Sequence, residues 1–95
     1  MRVQFMVTSR RRIERYRDAE FTPLIPAETA RIKQLYAEGV VRHIWHRDDG
    51  LGACFVMEAP DLAAARAVVE DLPVARAGLS EFTVLALRPY RGFGN

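Results

Sequence analysis

One short turn constrains the fold of this chain more than any other feature of its sequence. Asp48, Asp49 and Gly50 separate two β-rich runs, residues 40–47 and 51–59. An Asp-Gly pair between strand-forming residues is a strong hairpin signal, because the turn it favours matches the twist of antiparallel strands. The middle of the chain is therefore predicted to be a pair of antiparallel strands.

The segment before this hairpin is predicted to hold one strand and one helix. Residues 2–8 alternate between two faces, as a strand does. The polar stretch that follows is compatible with a helical turn capped by Ser9. A stronger start signal, Thr-Pro, predicts the main helix over residues 23–38, and Gly39 then provides the backbone freedom of a C-cap.

The segment after the hairpin repeats this pattern in the opposite order. Asp61 is a good N-cap for a helix over residues 62–72, which Pro73 ends. Residues 80–88 then read as the last strand. The order strand, helix, strand, strand, helix, strand predicts an α+β, ferredoxin-like βαββαβ fold with a four-stranded antiparallel sheet and two helices on one face.

The length and the strand composition bear on assembly. Ninety-five residues are enough for one core, so we expect a single domain over residues 1–95. Apolar side chains occupy both faces of residues 51–59, with Phe55 and Met57 on one side and Cys54 and Val56 on the other. We therefore expect a second copy to cover the sheet face opposite the helices, giving a homodimeric α+β barrel.

The charge pattern argues against nucleic acid as a partner. The formal net charge is +2, and the densest basic run, from Arg10 to Arg17, is interrupted by acidic residues. A solvated helix face explains that run better than a nucleic-acid surface. The chain shows no signal peptide or membrane-spanning pattern, and the lone Cys54 suits a reducing interior, so a cytoplasmic protein is expected.

Glu28 stands out on the first predicted helix. It shares one helical stripe with Ile32 and Leu35, and that stripe should face the sheet. Glu28 is then either a helix-start glutamate that pairs with a neighbour such as Arg31, or a half-buried carboxylate. Burial would raise the pKa of such a carboxylate toward the range useful for proton transfer.

The run VRHIWHR, residues 41–47, holds two histidines that strand alternation separates. His43 and Trp45 share one face with Val41, whereas Arg42 and His46 belong to the other. A joint metal site is therefore not expected. His43 and Trp45 either line a pocket for a flat, oxygenated ring or form an ordinary core or interface pair.

The C-terminal tail offers two more candidates. Tyr90, Arg91 and Phe93 either close a pocket or make a subunit contact, with Arg91 able to clamp a carboxylate, or they belong to a frayed end. No P-loop, dinucleotide fingerprint or nucleophile elbow occurs in the sequence, so no cofactor is predicted.

Three blocks together resemble the muconolactone isomerase family: EGVVRHIWHR, FVMEAP and EDLP. The resemblance covers roughly residues 24–89. It implies a dimeric α+β barrel, in the isomerases assembled further into a decamer, that uses no cofactor. It also implies an activity in aromatic-acid breakdown, the movement of a proton within an unsaturated lactone.

Carried onto this sequence, the resemblance implies a proton carrier, either Glu28 or His43. It also implies a donor to the dienolate oxygen, for which His43, Trp45 or Arg42 are candidates. The leading hypothesis is accordingly a cofactor-free isomerase-like enzyme with Glu28, His43 and Trp45 around one pocket. The alternative is a noncatalytic oligomeric binding or accessory protein whose apolar cavity holds an aromatic or polyketide-like ligand.

Overall fold

The fold is described by a computed structural model that covers residues 2–92. A four-stranded antiparallel sheet has the order β2-β3-β1-β4. This is the α+β, βαββαβ arrangement that the sequence predicts. The strands are β1 (Val3–Arg11), β2 (Val41–His46), β3 (Ala53–Ala59) and β4 (Ser80–Ala86), and the helices are α1 (Asp18–Phe21), α2 (Ile25–Ala37), α3 (Leu62–Glu70) and α4 (Pro73–Arg76).

The core lies between the helices and one face of the sheet. On β1, alternate side chains point into it, and Phe5 and Val7 are fully buried. Leu35 of α2 and Val69 of α3 meet them from the helical layer. Removing this apolar surface from water is the main stabilising contribution to the fold. The buried cluster consists of Phe5, Val7, Leu35, Val41, Phe55, Met57, Ala59, Ala65, Val69 and Leu72.

The first strand is longer than the sequence pattern indicates. It continues through Arg11, paired with β4 as far as Ser80, so the prediction of a helical turn capped by Ser9 is wrong. The Ser9 hydroxyl is buried, and it accepts a hydrogen bond of 2.9 Å from the backbone N–H of Ala53 on β3. The Ala53 N–H thus gives the buried Ser9 hydroxyl a hydrogen-bond partner. The polar residues at the end of β1 can therefore stay in the sheet.

Three consecutive helical segments follow β1. The helix α1 and a 3₁₀ turn, Thr22–Leu24, precede α2, which therefore begins at Ile25, two residues later than predicted. The end of α2 agrees with the prediction to one residue. Glu38 is the C-cap, and Gly39 follows with φ of +79°, a conformation that favours glycine.

The second half of the chain follows the local signals closely. Asp61 caps α3, its carboxylate accepting a 2.8 Å hydrogen bond from the N–H of Ala64, as predicted. The helix α3 ends at Glu70, two residues before the predicted end, and Pro73 begins α4, a single turn that the sequence pattern did not indicate. Proline suits this position because the first residues of a helix have no intrahelical partner for their N–H groups.

A bulge in β2 is the irregularity with the largest effect on the site. Val41 pairs with Met57, yet His43 pairs with Val56, so Arg42 is an extra residue opposite β3. An extra residue reverses the alternation of all side chains that follow it. Val41 therefore faces the core, whereas His43 and Trp45 face the other side of the sheet. The prediction that Val41, His43 and Trp45 share a face is wrong at Val41.

The C-terminal segment after β4 lies outside the sheet. Tyr90 and Arg91 are exposed in the structure, and Phe93 lies outside the described residues. Within residues 2–92, no helix is long and apolar enough to cross a bilayer.

Candidate functional site

A cleft opens between α2 and the helix-facing side of the sheet, beside the β2–β3 hairpin. It has two adjoining compartments of about 310 and 330 Å³. The first lies against the end of β1 and the turn α4, and the second extends along α2 over an apolar floor that includes Phe55 and Phe82. The residues that line both compartments are Ser9, Glu28, Thr29, His46 and Ala53.

Glu28 enters this cleft from the first turn of α2. Its side chain is half-buried, and its Oε1 atom accepts a 3.1 Å hydrogen bond from the backbone N–H of Val74. Burial raises the pKa of the Glu28 carboxyl, an effect that the Val74 N–H partly opposes. Of the two interpretations from sequence, the half-buried carboxylate agrees with the structure, and Arg31 bonds Gln34 instead.

His46 is the histidine that shares the cleft with Glu28. It pairs with Ala53, and Ile44 pairs with the buried Phe55, so both side chains lie on the helix side of the sheet. The imidazole is exposed at the mouth of the cleft and lines both compartments. An imidazole there can donate or accept a hydrogen bond.

His43 and Trp45 share one face of β2, as the sequence predicts, and this face is the one opposite the helices. Their rings stack with centroids 5.8 Å apart and planes 15° from parallel. Trp45 also borders the second compartment from the edge strand, whereas His43 lines neither compartment. The sequence prediction that Glu28, His43 and Trp45 surround one pocket is therefore corrected, because the bulge at Arg42 turns His43 away from Glu28.

The remaining candidates from sequence lie elsewhere. Arg42 borders a shallow concavity at the far end of α2, with Tyr36 and Gly39. Tyr90 and Arg91 are exposed after β4, and neither lines the two compartments. In this structure the described tail does not close the cleft.

Arg11 and His46 line the cleft but were not among the site residues predicted from sequence. Both point toward the helices because of strand register. The series Val3, Phe5, Val7 continues through Ser9 to Arg11 on the same face of β1. Extending that alternation past residue 8 would have indicated Arg11, whereas His46 depends on a bulge that no local pattern marks.

The β2–β3 hairpin forms one wall of the cleft and packs tightly against Ser9 of β1. Gly52 has φ of +155°, and a Cβ there would collide with the carbonyl and hydroxyl of Ser9. Arg47 binds the Ser9 carbonyl at 3.1 Å and Asp49 at 2.7 Å, which ties the turn to β1. This wall of the cleft is thus held by backbone contact as well as by hydrogen bonds.

The described part of the chain has no cluster of three or more His, Cys, Asp or Glu side chains placed to hold a metal ion.

The chain belongs to the YCII-related domain family, whose model matches residues 3–88. Comparison with curated proteins gives no match.

Several solved structures match this fold, among them an isomerase and a dehydrochlorinase. A crystal structure of muconolactone isomerase superposes with a TM-score of 0.72 at 21% identity, covering 97% of this chain and 93% of that one. The second is 5-chloro-2-hydroxyhydroquinone dehydrochlorinase from Burkholderia phenoliruptrix AC1100, in complex with 2,5-dihydroxybenzoquinone. It gives a TM-score of 0.58 at 20% identity over 94% of this chain and 95% of that one. The resemblance to the muconolactone isomerase family is thus confirmed for the fold.

Proposed function

We propose that this chain is a cofactor-free enzyme that moves a proton within a small unsaturated lactone or a related oxygenated ring. The observation that carries the proposal is the half-buried Glu28, whose carboxyl shares one cleft with the imidazole of His46. A general base works best when its pKa lies near the working pH, and burial moves the Glu28 pKa in that direction.

In this mechanism Glu28 carries the proton. Its carboxylate removes a proton from the saturated ring carbon next to the conjugated C=C–C=O system, and the C–H electron pair passes into a dienolate. The protonated Glu28 then returns the proton to the other end of the conjugated system, so the double bond migrates with no net loss of atoms. The Val74 N–H holds Oε1 and fixes the orientation of the carboxyl for both steps.

His46 takes the second role, donation of a hydrogen bond to the dienolate oxygen. A donor aimed at developing negative charge lowers the barrier, and loss of one such donor costs about 10²–10³ in rate. The resemblance assigned this role to His43, Trp45 or Arg42. The register of β2 supports His46, because it lies on the same side of the sheet as Glu28.

The proposal is tested by following double-bond migration in a panel of unsaturated lactones by absorbance. Glu28→Gln removes the proton carrier but keeps the side-chain volume, so turnover should fall by at least about 10²-fold. Glu38→Gln, an exposed change at the C-cap of the same helix, is the matched control. Unchanged turnover by Glu28→Gln would remove Glu28 as the proton carrier.

The two histidines are compared in the same assay. His46→Asn should lower kcat, because it removes the imidazole that lines the same cleft as Glu28. A loss of kcat in His43→Asn with full activity in His46→Asn would instead favour the assignment made from sequence alone.

We also propose that the active form is a homodimer joined through the sheet face opposite the helices. Leu85 and Trp45 are 59% and 53% exposed on that face. Met6 and Val56 lie between them on the central strands, only partly buried. An apolar sheet face of this kind is commonly covered by a second copy.

A binding protein without catalysis is the second candidate, favoured by the apolar second compartment. Ile32, Ile44, Phe55 and Phe82 line it, and they suit an aromatic ring better than a polar substrate. A ligand held there should raise the melting temperature by mass action. Stabilisation by aromatic ligands without conversion of any lactone would support this candidate over the enzyme.

A further inference from the structure

His46 lies at the point where the chain leaves the sheet. It is the last residue of β2, an edge strand that is paired within residues 2–92 with β3 alone. Its pairing with Ala53 ends that ladder, and the chain then turns through residues 47–52. The direction of the imidazole toward the cleft therefore depends on how this turn is held.

The side chain of Arg47 fastens the turn to the first strand. Its Nε and Nη2 atoms donate hydrogen bonds of 3.2 and 2.7 Å to the two carboxylate oxygens of Asp49. Its Nη1 atom donates a third bond, of 3.1 Å, to the backbone carbonyl of Ser9 on β1. A planar guanidinium can make this double attachment because its donors form a rigid fork, whereas an ammonium group lacks that geometry.

The carboxylate of Asp49 stabilises the turn from within. Its Oδ1 atom also accepts a 2.9 Å hydrogen bond from the backbone N–H of Leu51. Hydrogen bonding by Arg47 lowers the pKa of the Asp49 carboxyl, so this group is charged at neutral pH. The charged pair is thus present under the conditions in which the cleft would work.

The attachment point on β1 is where regular strand pairing stops. The ladder between β1 and β3 ends before Ser9. Beyond it, the N–H of Arg11 donates a 2.7 Å hydrogen bond to the Leu51 carbonyl, and the Arg47 guanidinium binds the Ser9 carbonyl. Because the backbone bond persists when the Arg47 side chain is replaced, a variant there should loosen the turn without detaching it from the sheet.

The braced turn forms part of the cleft, although the brace itself does not. Arg47 lines neither compartment, so it acts on a ligand only through the residues that it holds in place. A misplacement of about 1 Å at a catalytic group can lower a rate about 10²-fold. The residues of this wall that line the first compartment beside His46 are Gly50, Gly52 and Ala53.

We propose that Arg47 is a positioning residue of the site: by bracing the turn after β2, it orients the His46 imidazole toward the cleft. This inference rests on the proposed function for the role of His46 as hydrogen-bond donor to the dienolate oxygen. Arg47 contacts no substrate and carries no proton in this role. Its effect on catalysis is therefore expected to require His46.

A double-mutant cycle in the lactone assay tests this dependence. Arg47→Met removes all three donors and should lower kcat by at least about tenfold. In a chain that already carries His46→Asn, the same change should lower kcat by less than about twofold, because the imidazole through which it acts is gone. Arg47→Lys should recover part of the loss. Equal fold losses in the two backgrounds, or no loss in Arg47→Met, would overturn the proposal.

Arg10→Met is the matched control. Arg10 also binds two carboxylates, those of Glu14 and Glu81, but it lines neither compartment. Exposed ion pairs contribute little to stability, so kcat should stay within about twofold of wild type. A loss as large as that of Arg47→Met would show that any ion pair of the surface affects turnover and would contradict a specific role of Arg47.

A milder variant guards against loss of folding in Arg47→Met. Asp49→Asn keeps an oxygen that can accept from the Leu51 N–H, but it removes the charge that Arg47 binds. It should lower kcat less than Arg47→Met, and that loss should again disappear in the His46→Asn background. A loss that stays the same in both backgrounds would count against the proposal.

Hydrogen exchange separates failure of this inference from failure of the proposed function, because it needs no turnover. The backbone N–H groups of Leu51 and Ala53 are hydrogen-bonded within the braced region. In Arg47→Met their exchange should quicken at least about tenfold more than that of Val7, which is buried on β1 and reports opening of the whole fold. No such difference would overturn the proposal. Faster local exchange without turnover of any lactone by the wild-type chain would contradict only the enzyme.

Discussion

A single extra residue determines which histidine faces the cleft that holds Glu28. The two histidines are three positions apart, and only the register of β2 separates their environments. Since Arg42 is bulged, His43 stacks on Trp45 outside the helical layer while His46 faces the cleft. The chemistry of the site is thus fixed by backbone pairing as much as by side-chain identity.

The carboxyl of Glu28 should make stability depend on pH. Burial raises its pKa in the folded state, so the folded protein holds that proton more tightly than the unfolded chain does. This contribution to stability is fully present below the unfolded pKa, near 4.5, and is lost as pH rises through the higher folded value. Glu28→Gln cannot ionise and should therefore gain free energy of unfolding relative to wild type as pH rises.

Urea unfolding of both proteins from pH 4.5 to neutral pH measures this difference. Glu38→Gln, at the exposed C-cap of the same helix, should follow the wild-type pH dependence. A constant difference between Glu28→Gln and wild type across that range would contradict a raised pKa at Glu28.

At the scale of elements, the correct predictions are those that depend on only a few adjacent residues. The Asp-Gly turn, the cap at Asp61 and the glycine after α2 each satisfy local backbone requirements, so they can be recognised without knowing the tertiary structure. The bulge at Arg42 depends on β3, and the inward direction of Arg11 depends on its pairing with β4. Most of the fold could therefore be predicted from the sequence. Of the cleft, only the Glu28 side could be predicted.

The cap of α3 provides a stability test at this scale. Asp61→Ala removes the acceptor for the Ala64 N–H and should lower the free energy of unfolding by about 0.5–2 kcal/mol. Asp61→Asn keeps an acceptor oxygen and should retain most of the stability. Chemical denaturation of the three proteins measures the effect, and equal losses for the two variants would show that charge, not capping, matters at this position.

At the scale of the whole molecule, one face of the sheet has no helix packed on it within residues 2–92. The helices bury the side chains around Phe55 and Met57, while Val56 and Leu85 face the other way. An interface that stays together in solution usually buries about 1,200–2,000 Å² in total. A four-stranded sheet with several large side chains on one face is well suited to provide such an area.

Leu85→Asp tests the proposed homodimer. The side chain is 59% exposed in the single chain, so the substitution should leave folding intact while it places a charge in the interface. Light scattering should then report a smaller mass than for wild type. Ile13→Asp, at a residue 52% exposed outside the sheet, is the control and should keep the wild-type mass. Equal masses for wild type and Leu85→Asp would contradict this interface.

The stacked pair of His43 and Trp45 gives the molecule a built-in optical reporter. Trp45 is the only tryptophan in the chain, so all indole fluorescence comes from one place. Its ring lies against the His43 imidazole on the open face and also borders the second compartment. Association through that face should shift the emission to shorter wavelength by excluding water, whereas a ligand in the cleft should change its intensity in monomer and dimer alike. The wavelength and brightness of one residue would thus follow assembly and ligand binding separately.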